Sequence, residues 1–369
     1  MSPRSLIERG FDVVARRLDG PLMVTLAVLA ALSLAVVYSA SGQSSERALG
    51  QARNFAVALA VLWVAANVPP QQLMRLAIPI YLAGLGLLIG VALFGDMRNG
   101  ARRWLNLGFA TIQPSEIMKI GVPLLLAAYF HRKEEGLNLK DYAVAGLILI
   151  LPTALIMRQP DLGTAVLIFS SGFFVIFLVG LSWRLIIAAG VAVLAALPLV
   201  WPLLHDYQRN RVLTLIDPTS DPQGAGYHII QSTIAIGSGG VLGKGWLNGS
   251  QSQLDFIPER STDFILAVFG EEFGLLGLLL LLTLYLIIIG RGLMIAMNAP
   301  TTFSRLLAGA ITMTFFTYAF VNVGMVTGIL PVVGVPLPLV SYGGTAILSM
   351  FMGFGILMSI STHKRLVST

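Results

Sequence analysis

Apolar blocks too long for a soluble core recur along this chain of 369 residues, and the first, Leu22–Ala40, runs for 19 residues without a charge. Hydrocarbon cannot satisfy a backbone N–H or C=O, so a block that crosses it must be a helix or part of a closed barrel. About 20 apolar residues make a crossing helix, whereas barrel strands alternate and are half as long. The rest of the composition agrees. Hydrophobic residues make up 56% and charged residues only 11%, against about 25% charged in a soluble domain. Too few polar side chains remain to coat a globule in water. The chain is therefore expected to be an all-α polytopic membrane protein, one membrane domain over residues 1–369.

The pattern predicts about ten transmembrane helices, near Leu22–Ala40, Phe55–Val68, Leu73–Phe94, Pro114–Phe130, Tyr142–Met157, Leu162–Gly180, Arg184–Leu204, Thr262–Gly290, Phe303–Leu330 and Leu339–Ile360. Arg16 and Arg17 before the first block resemble a signal sequence, but its length and the blocks that follow make it a retained span. Only RQPD separates spans five and six, which predicts a tight hairpin. An even number of spans puts both termini on one side. The Lys and Arg of the short loops (Arg4, Arg9, Arg16, Arg17, Arg75, Arg132, Lys133, Lys140, Arg184, Arg291, Arg305, Lys364, Arg365) make that side cytoplasmic. Residues 205–261, between spans seven and eight, become one long extracytoplasmic loop, in which YHIIQSTIAIGSGG reads as a short amphipathic or re-entrant helix. The net charge of +6 does not indicate nucleic acid, because the basic residues flank apolar blocks instead of forming a patch. There is no cysteine, which removes thiol and disulfide chemistry.

An ionisable residue inside a span is costly, and four places carry one or lie at a span's edge. In QPSEIMK, Pro114 opens a helix and Glu116 and Lys119 lie three apart on one face. They are either an ion pair anchoring a helix end, or a cation offered to an anionic substrate with Glu116 orienting it. In RQPDLGT, Asp161 suits an N-cap and also stands where helix N-termini gather anions or ligands. In FIPERSTDFILAVFGEEFG, Asp263 falls at the outer end of a long apolar helix. It is a first-turn carboxylate or a general base half-buried at a membrane mouth. Glu271 and Glu272, about 12 Å further along an unbroken helix, read as structural contacts. In RNGARRWLNLG, Arg98, Arg102 and Arg103 beside Trp104 oppose the charge bias. They serve lipid head groups or form a pyrophosphate clamp, which the arginine fork favours. No nucleotide-binding loop, Ser-His-Asp set or metal-ligand cluster is evident.

Taken together, QPSEIMK, QPDLGT, DPQGAGYHIIQSTIAIGSGG, GKGWLNGSQSQLDFIPERSTDF and the segment from Asn322 to Ala346 (ending in SYGGTA) resemble the shape, elongation, division and sporulation (SEDS) family of polytopic glycosyltransferases. The likeness runs from the first span to the last, and GSQSQLDFIPER favours its elongation branch. The resemblance implies polymerisation of lipid II at the outer face of the bacterial cytoplasmic (inner) membrane. The disaccharide units are joined β-1,4 with inversion, and undecaprenyl pyrophosphate is released. It implies Asp263 as the essential aspartate and importance for Glu116, Lys119 and Asp161. Relatives often carry His where this chain has Ser261, which concentrates the role of base on Asp263. Lys119 and Arg103, then Arg102, Arg47 and Arg211, become the candidates for the anionic head group. A divalent cation (Mg or Mn) could share that role, although the sequence commits no ligand set. The implied partners are lipid II, membrane lipids and a class B penicillin-binding protein transpeptidase, with no nucleic acid. A lipid II flippase and a non-catalytic scaffold of the elongation machinery are the alternatives.

Overall fold

The computed structural model describes residues 18–98, 101–106, 111–133, 136–203, 206–221 and 224–363. Of the charges used to orient the chain, Arg4, Arg9, Arg16, Arg17, Lys364 and Arg365 lie outside these residues. In chain order the helices are α1 (Gly20–Ala40), α2 (Ser45–Asn67), α3 (Pro70–Phe94), α4 (Pro114–His131), α5 (Leu139–Met157), α6 (Leu162–Leu178), α7 (Trp183–Val200), α8 (Asp206–Ile216), α9 (Ala225–Ser238), α10 (Ser250–Gln253), α11 (Ile265–Met297), α12 (Thr302–Val326) and α13 (Gly344–Thr362). Each of the ten expected blocks coincides with a helix. Among the described residues, seven of them (α1, α2, α3, α5, α11, α12, α13) are long and apolar enough to cross a membrane.

The segment after α7 is not a bare loop: α8, α9 and α10 fall within it, and α9 forms where the short helix was expected. The all-helical expectation also meets one local exception. Between α3 and α4 the chain makes a small antiparallel ribbon, β1 (Asp96–Arg98), β2 (Ala101–Asn106) and β3 (Thr111–Ile112).

At the centre lies α12, which packs against α4, α6, α11 and α13. Close approach depends on small residues, as is usual where apolar helices gain nothing from leaving apolar solvent. A Cβ on Gly355 of α13 would meet the Leu62 carbonyl of α2 at 2.4 Å, and one on Gly292 of α11 would meet Thr312 Oγ1 of α12 at 2.3 Å. The start of α1 is tied to α11 by Asp19, which caps α1 by accepting from the Leu22 amide and receives the forked guanidinium of Arg291 at 2.7 Å.

Helix α11 is broken. Gly274 adopts φ 63°, ψ −162°, a conformation open to glycine, and separates a short piece, residues 265–273, from a long one, 275–297. The broken ladder is repaired by the chain after α9. Lys244 and Gly245 N–H donate to the Glu271 and Glu272 carbonyls, while Leu275 and Leu276 N–H donate to Gly240 and Val241. This satisfies backbone groups that lipid could not.

The two glutamates precede the break and make structural contacts, as expected of them. Glu272 accepts from Ser39, one residue from the C-terminal end of α1, and Glu271 receives Lys244 Nζ at 2.7 Å and the Gln251 and Ser252 amides. Together they staple 244–252 and the end of α1 to the short piece of α11.

The repair requires glycine at 239, where a Cβ would stand 2.1 Å from the Gly270 carbonyl, whereas Gly237 has open space around it. Gly239→Ala is expected to destabilise the protein by about 1–3 kcal/mol and Gly237→Ala to be neutral or slightly stabilising. Thermal unfolding in detergent of the two variants beside the parent checks both signs.

Candidate functional site

The N-terminal ends of α4, α6, α11 and α13 gather at one membrane face around a cavity of about 710 Å³. Its polar lining includes Arg103, Glu116, Lys119, Asp161, Asp263 and Tyr318. Residues as far apart in sequence as Arg103 and Tyr318 therefore share one space.

Asp263 stands two residues before α11, and its main chain is held from three sides. Asn322 Nδ2 donates to the Asp263 carbonyl at 2.8 Å and to the Val335 carbonyl at 2.7 Å. Ser341 Oγ donates to the Thr262 carbonyl at 2.5 Å, and the Tyr342 amide to Ser261 at 2.9 Å. The Asn322–Ala346 signature is thus in part a cradle for residues 261–263. Gly334 completes it. Its φ is +73°, and a Cβ there would come within 3.4 Å of Asp263 Oδ2. Among the described residues no hydrogen-bond donor reaches the Asp263 carboxylate, so it is free to accept one from outside. Burial pushes its pKa up to about 6, the neighbouring charge of Glu259 raising it further, Arg103 opposing and Asp161 adding. A carboxyl so placed is poised to take a proton near neutral pH.

Lys119 is not a bare cation facing the cavity. Its ammonium is buried, pairs with Glu116 Oε1 at 2.7 Å, and contacts the hydroxyl of Tyr318, whose ring centroid lies 5.0 Å away. Ser349 Oγ donates to the other Glu116 oxygen at 2.6 Å. The Glu116–Lys119 pair of QPSEIMK is thus an ion pair near a helix end, and Lys119 also lines the cavity. Asp161 likewise does two things. It caps α6, accepting from the Thr164 amide at 3.1 Å, and its Oδ2 lies 3.6 Å from Arg103 Nε. Arg103 is further anchored by donating to the Pro160 carbonyl at 2.6 Å.

The remaining arginines divide by geometry. Successive side chains of a strand point to opposite faces. On β2, Arg103 reaches the cavity wall while Arg102 is exposed on the other face with Trp104, so Arg102 does not join the site. Arg47, on the first turn of α2, donates to Ser261 Oγ at 3.2 Å and borders the cavity without lining it. Arg211, on α8, is not among the lining residues. Tyr318, Ser349 and Asn322 were not singled out from sequence. Only Asn322, an amide within an apolar block, carried a signal. Among the described residues no three His, Asp or Glu side chains form a metal-binding group. Asp161 is already engaged, so no step is assigned to a metal.

The cavity adjoins apolar space. Glu116, Gln113 and Thr345 also line a neighbouring cavity of about 1060 Å³, which shares Val61, Ile80, Ile120 and Met352 with a third of about 940 Å³. Together these make a groove between α2, α3, α4 and α13, open along the membrane side. On the other flank of Lys119 lies a smaller space of about 430 Å³, walled by Ile311, Phe315, Met350 and Phe354.

The fold and the site define a helical multi-pass membrane protein with a polar, charged cavity beside an apolar groove. The chain belongs to the FtsW/RodA/SpoVE family of cell cycle proteins, whose model matches residues 20–366. It is 53% identical over 355 residues to the peptidoglycan glycosyltransferase MrdB of Escherichia coli K12, covering 95% of each chain. To the probable peptidoglycan glycosyltransferase FtsW of Geobacter metallireducens it is 33% identical over 363 residues, 95% of this chain and 96% of that one. Among solved structures it is similar to a chain of a peptidoglycan synthase complex that coordinates polymerization and crosslinking (TM-score 0.81, 34% identity, 93% and 97% covered). It is also similar to the rod shape determining protein RodA of Thermus thermophilus (TM-score 0.70, 28% identity, 92% and 95% covered).

The buried pair makes a stability prediction. Glu116→Gln leaves the Lys119 ammonium buried without its carboxylate and is expected to cost about 3–5 kcal/mol. The double change Glu116→Gln with Lys119→Met should cost clearly less, read as detergent melting temperatures of the single and double variants.

Proposed function

We propose that this protein, a peptidoglycan glycosyltransferase of cell elongation, polymerises lipid II within the cavity, with Asp263 as general base. One observation carries the assignment: a carboxylate with no donor of its own among the described residues lines the same cavity as Arg103 and the Glu116–Lys119 pair, and that cavity adjoins an apolar groove. That is the arrangement an inverting transfer between two lipid-linked sugars requires.

The acceptor 4-hydroxyl oxygen attacks the anomeric carbon of the donor. A new C–O bond forms there as the bond to the pyrophosphate oxygen breaks, and that oxygen departs with the electron pair. Because displacement is from the opposite face, an α-linked donor yields a β-1,4 product. Asp263 takes the hydroxyl proton, and its raised pKa lets it bind that proton while remaining ionised at neutral pH. Arg103 and Lys119 offset the charge that collects on the leaving pyrophosphate, acting where little water competes. Asp161 is a positioning residue, holding Arg103 toward the cavity. The polyprenyl chain of the lipid lies in the groove between α2, α3, α4 and α13.

The cavity faces the outer side of the cytoplasmic membrane, with both termini inside. The distribution of Lys and Arg in the short loops supports this, as does the gathering of α8 to α10 at the cavity's end of the bundle. A flippase would need a polar path onward to the other face, whereas the space beyond Lys119 and Tyr318 is walled mainly by apolar side chains among the described residues. A class B penicillin-binding protein transpeptidase is the partner. Its single span has lipid-exposed leucines of α11, among them Leu276, Leu279 and Leu280, to pack against.

Two outcomes test the base. Asp263→Asn should lower strand formation from purified lipid II by about 10²–10⁴-fold while the protein retains its melting temperature; long strands from that variant would sink the assignment. In wild type the active form of Asp263 is deprotonated, so the rate should be level above the pKa of about 6 and fall about tenfold per unit below it. A rate that stays level down to pH 5 would mean that another group takes the proton.

A further inference from the structure

Joining two lipid-linked sugars brings two pyrophosphates to the protein at once, and the cavity accounts for one. The donor's pyrophosphate leaves from the reacting carbon and is met by Arg103 and Lys119. The acceptor keeps its own pyrophosphate, a disaccharide's length from the hydroxyl that reacts. A second cation is therefore required outside the polar cavity, near a place where a lipid chain can enter.

Helix α2 supplies one. Its groove-lining residues are Val57, Ala60, Val61, Val64 and Ala65, an i, i+3, i+4 stripe on one face. Continuing that stripe one turn toward the outer end leads to Arg53, about 6 Å above Val57 along the axis. Arg53 is exposed, and among the described residues no carboxylate pairs with it. The next residue, Asn54, sits beside Gly344, where a Cβ would meet its side-chain oxygen at 3.3 Å. Thr345, which follows, lines both the polar cavity and the groove. Arg53 thus stands on the outer rim of the groove, beside the point where groove and cavity join. A lone arginine at a lipid-facing rim, over an apolar track and with its fork uncommitted, is suited to a lipid pyrophosphate.

We infer that Arg53 binds the pyrophosphate of the acceptor lipid as its chain enters along α2, which makes it a substrate-positioning residue distinct from the Arg103–Lys119 pair. This rests on the polymerase reading of the cavity. The inference separates the two substrates: loss of Arg53 should weaken the acceptor and spare the donor, and it should leave the chemical step intact.

The test uses the full chain with its transpeptidase partner in phosphatidylcholine vesicles. The donor is labelled lipid II epimerised at the acceptor sugar's C4 so that it cannot itself be extended; unlabelled lipid II is the varied acceptor, and the labelled tetrasaccharide lipid is counted. For Arg53→Gln the acceptor KM should rise about tenfold, the scale of one charge-assisted hydrogen bond. The donor KM and kcat should stay within about twofold, and Arg53→Lys should recover much of the loss. An unchanged acceptor KM, or an equal rise for the donor, overturns the inference. So does an effect that appears only when anionic phospholipid is added, which would assign Arg53 to bulk head groups. Wild type that forms no product from these lipids overturns the polymerase reading itself. Wild type that polymerises beside an unaffected Arg53→Gln overturns the inference alone.

Discussion

A bilayer gives a polar group no partner, and almost every polar side chain in this bundle has been given one by the protein. Lys119 has Glu116 and Tyr318, Glu116 also has Ser349, Glu271 has Lys244, and Asp19 has Arg291. Gln51 bridges Ser33 and the Ser341 carbonyl. Even the break in α11 is closed by the chain after α9. Among the described residues the Asp263 carboxylate is left without a donor, although it lines the cavity. Its main chain is cradled by Asn322, Ser341 and Tyr342, while its carboxylate is left to the cavity. The rigidity of the cradle and the openness of the carboxylate belong together, because an unpartnered side chain keeps a defined place when its backbone is held by supporting contacts.

The same partition appears at the scale of the proposed substrate. A lipid-linked sugar is polar at one end and hydrocarbon at the other, and the protein is divided likewise. The helix ends around the cavity hold the charges, and α2, α3, α4 and α13 leave an apolar groove beside them. Helix α12 joins both sides of the cavity on one rod, since Asn322 holds the Asp263 main chain and Tyr318, one turn away, contacts Lys119. A shift of α12 would therefore move both ends of the site together.

Much of this was legible in the sequence because the membrane enforces simple rules. Block length and low charge sufficed for the helices, and ionisable residues in or beside apolar blocks pointed to Glu116, Lys119, Asp161 and Asp263, all four of which line the cavity. What stayed hidden depended on local geometry. The alternation of β2 separates Arg102 from Arg103, but that ribbon is too short and irregular to announce itself among helices. The break at Gly274 lets the chain after α9 close onto α11, yet one glycine in an apolar run gives no such warning. Tyr318 and Ser349 are unremarkable in sequence and acquire a role only through α4, α12 and α13 meeting.

The central claim is that a lipid-linked sugar occupies this cavity from the outer side. The chain has no cysteine, so Thr345→Cys introduces a single thiol at the junction of cavity and groove. Its reaction with a membrane-impermeant maleimide can be timed on right-side-out and inverted vesicles, with and without lipid II. The account predicts labelling from the outer side only, slowed by lipid II. Labelling from the cytoplasmic side, or a rate indifferent to saturating lipid II, would contradict it.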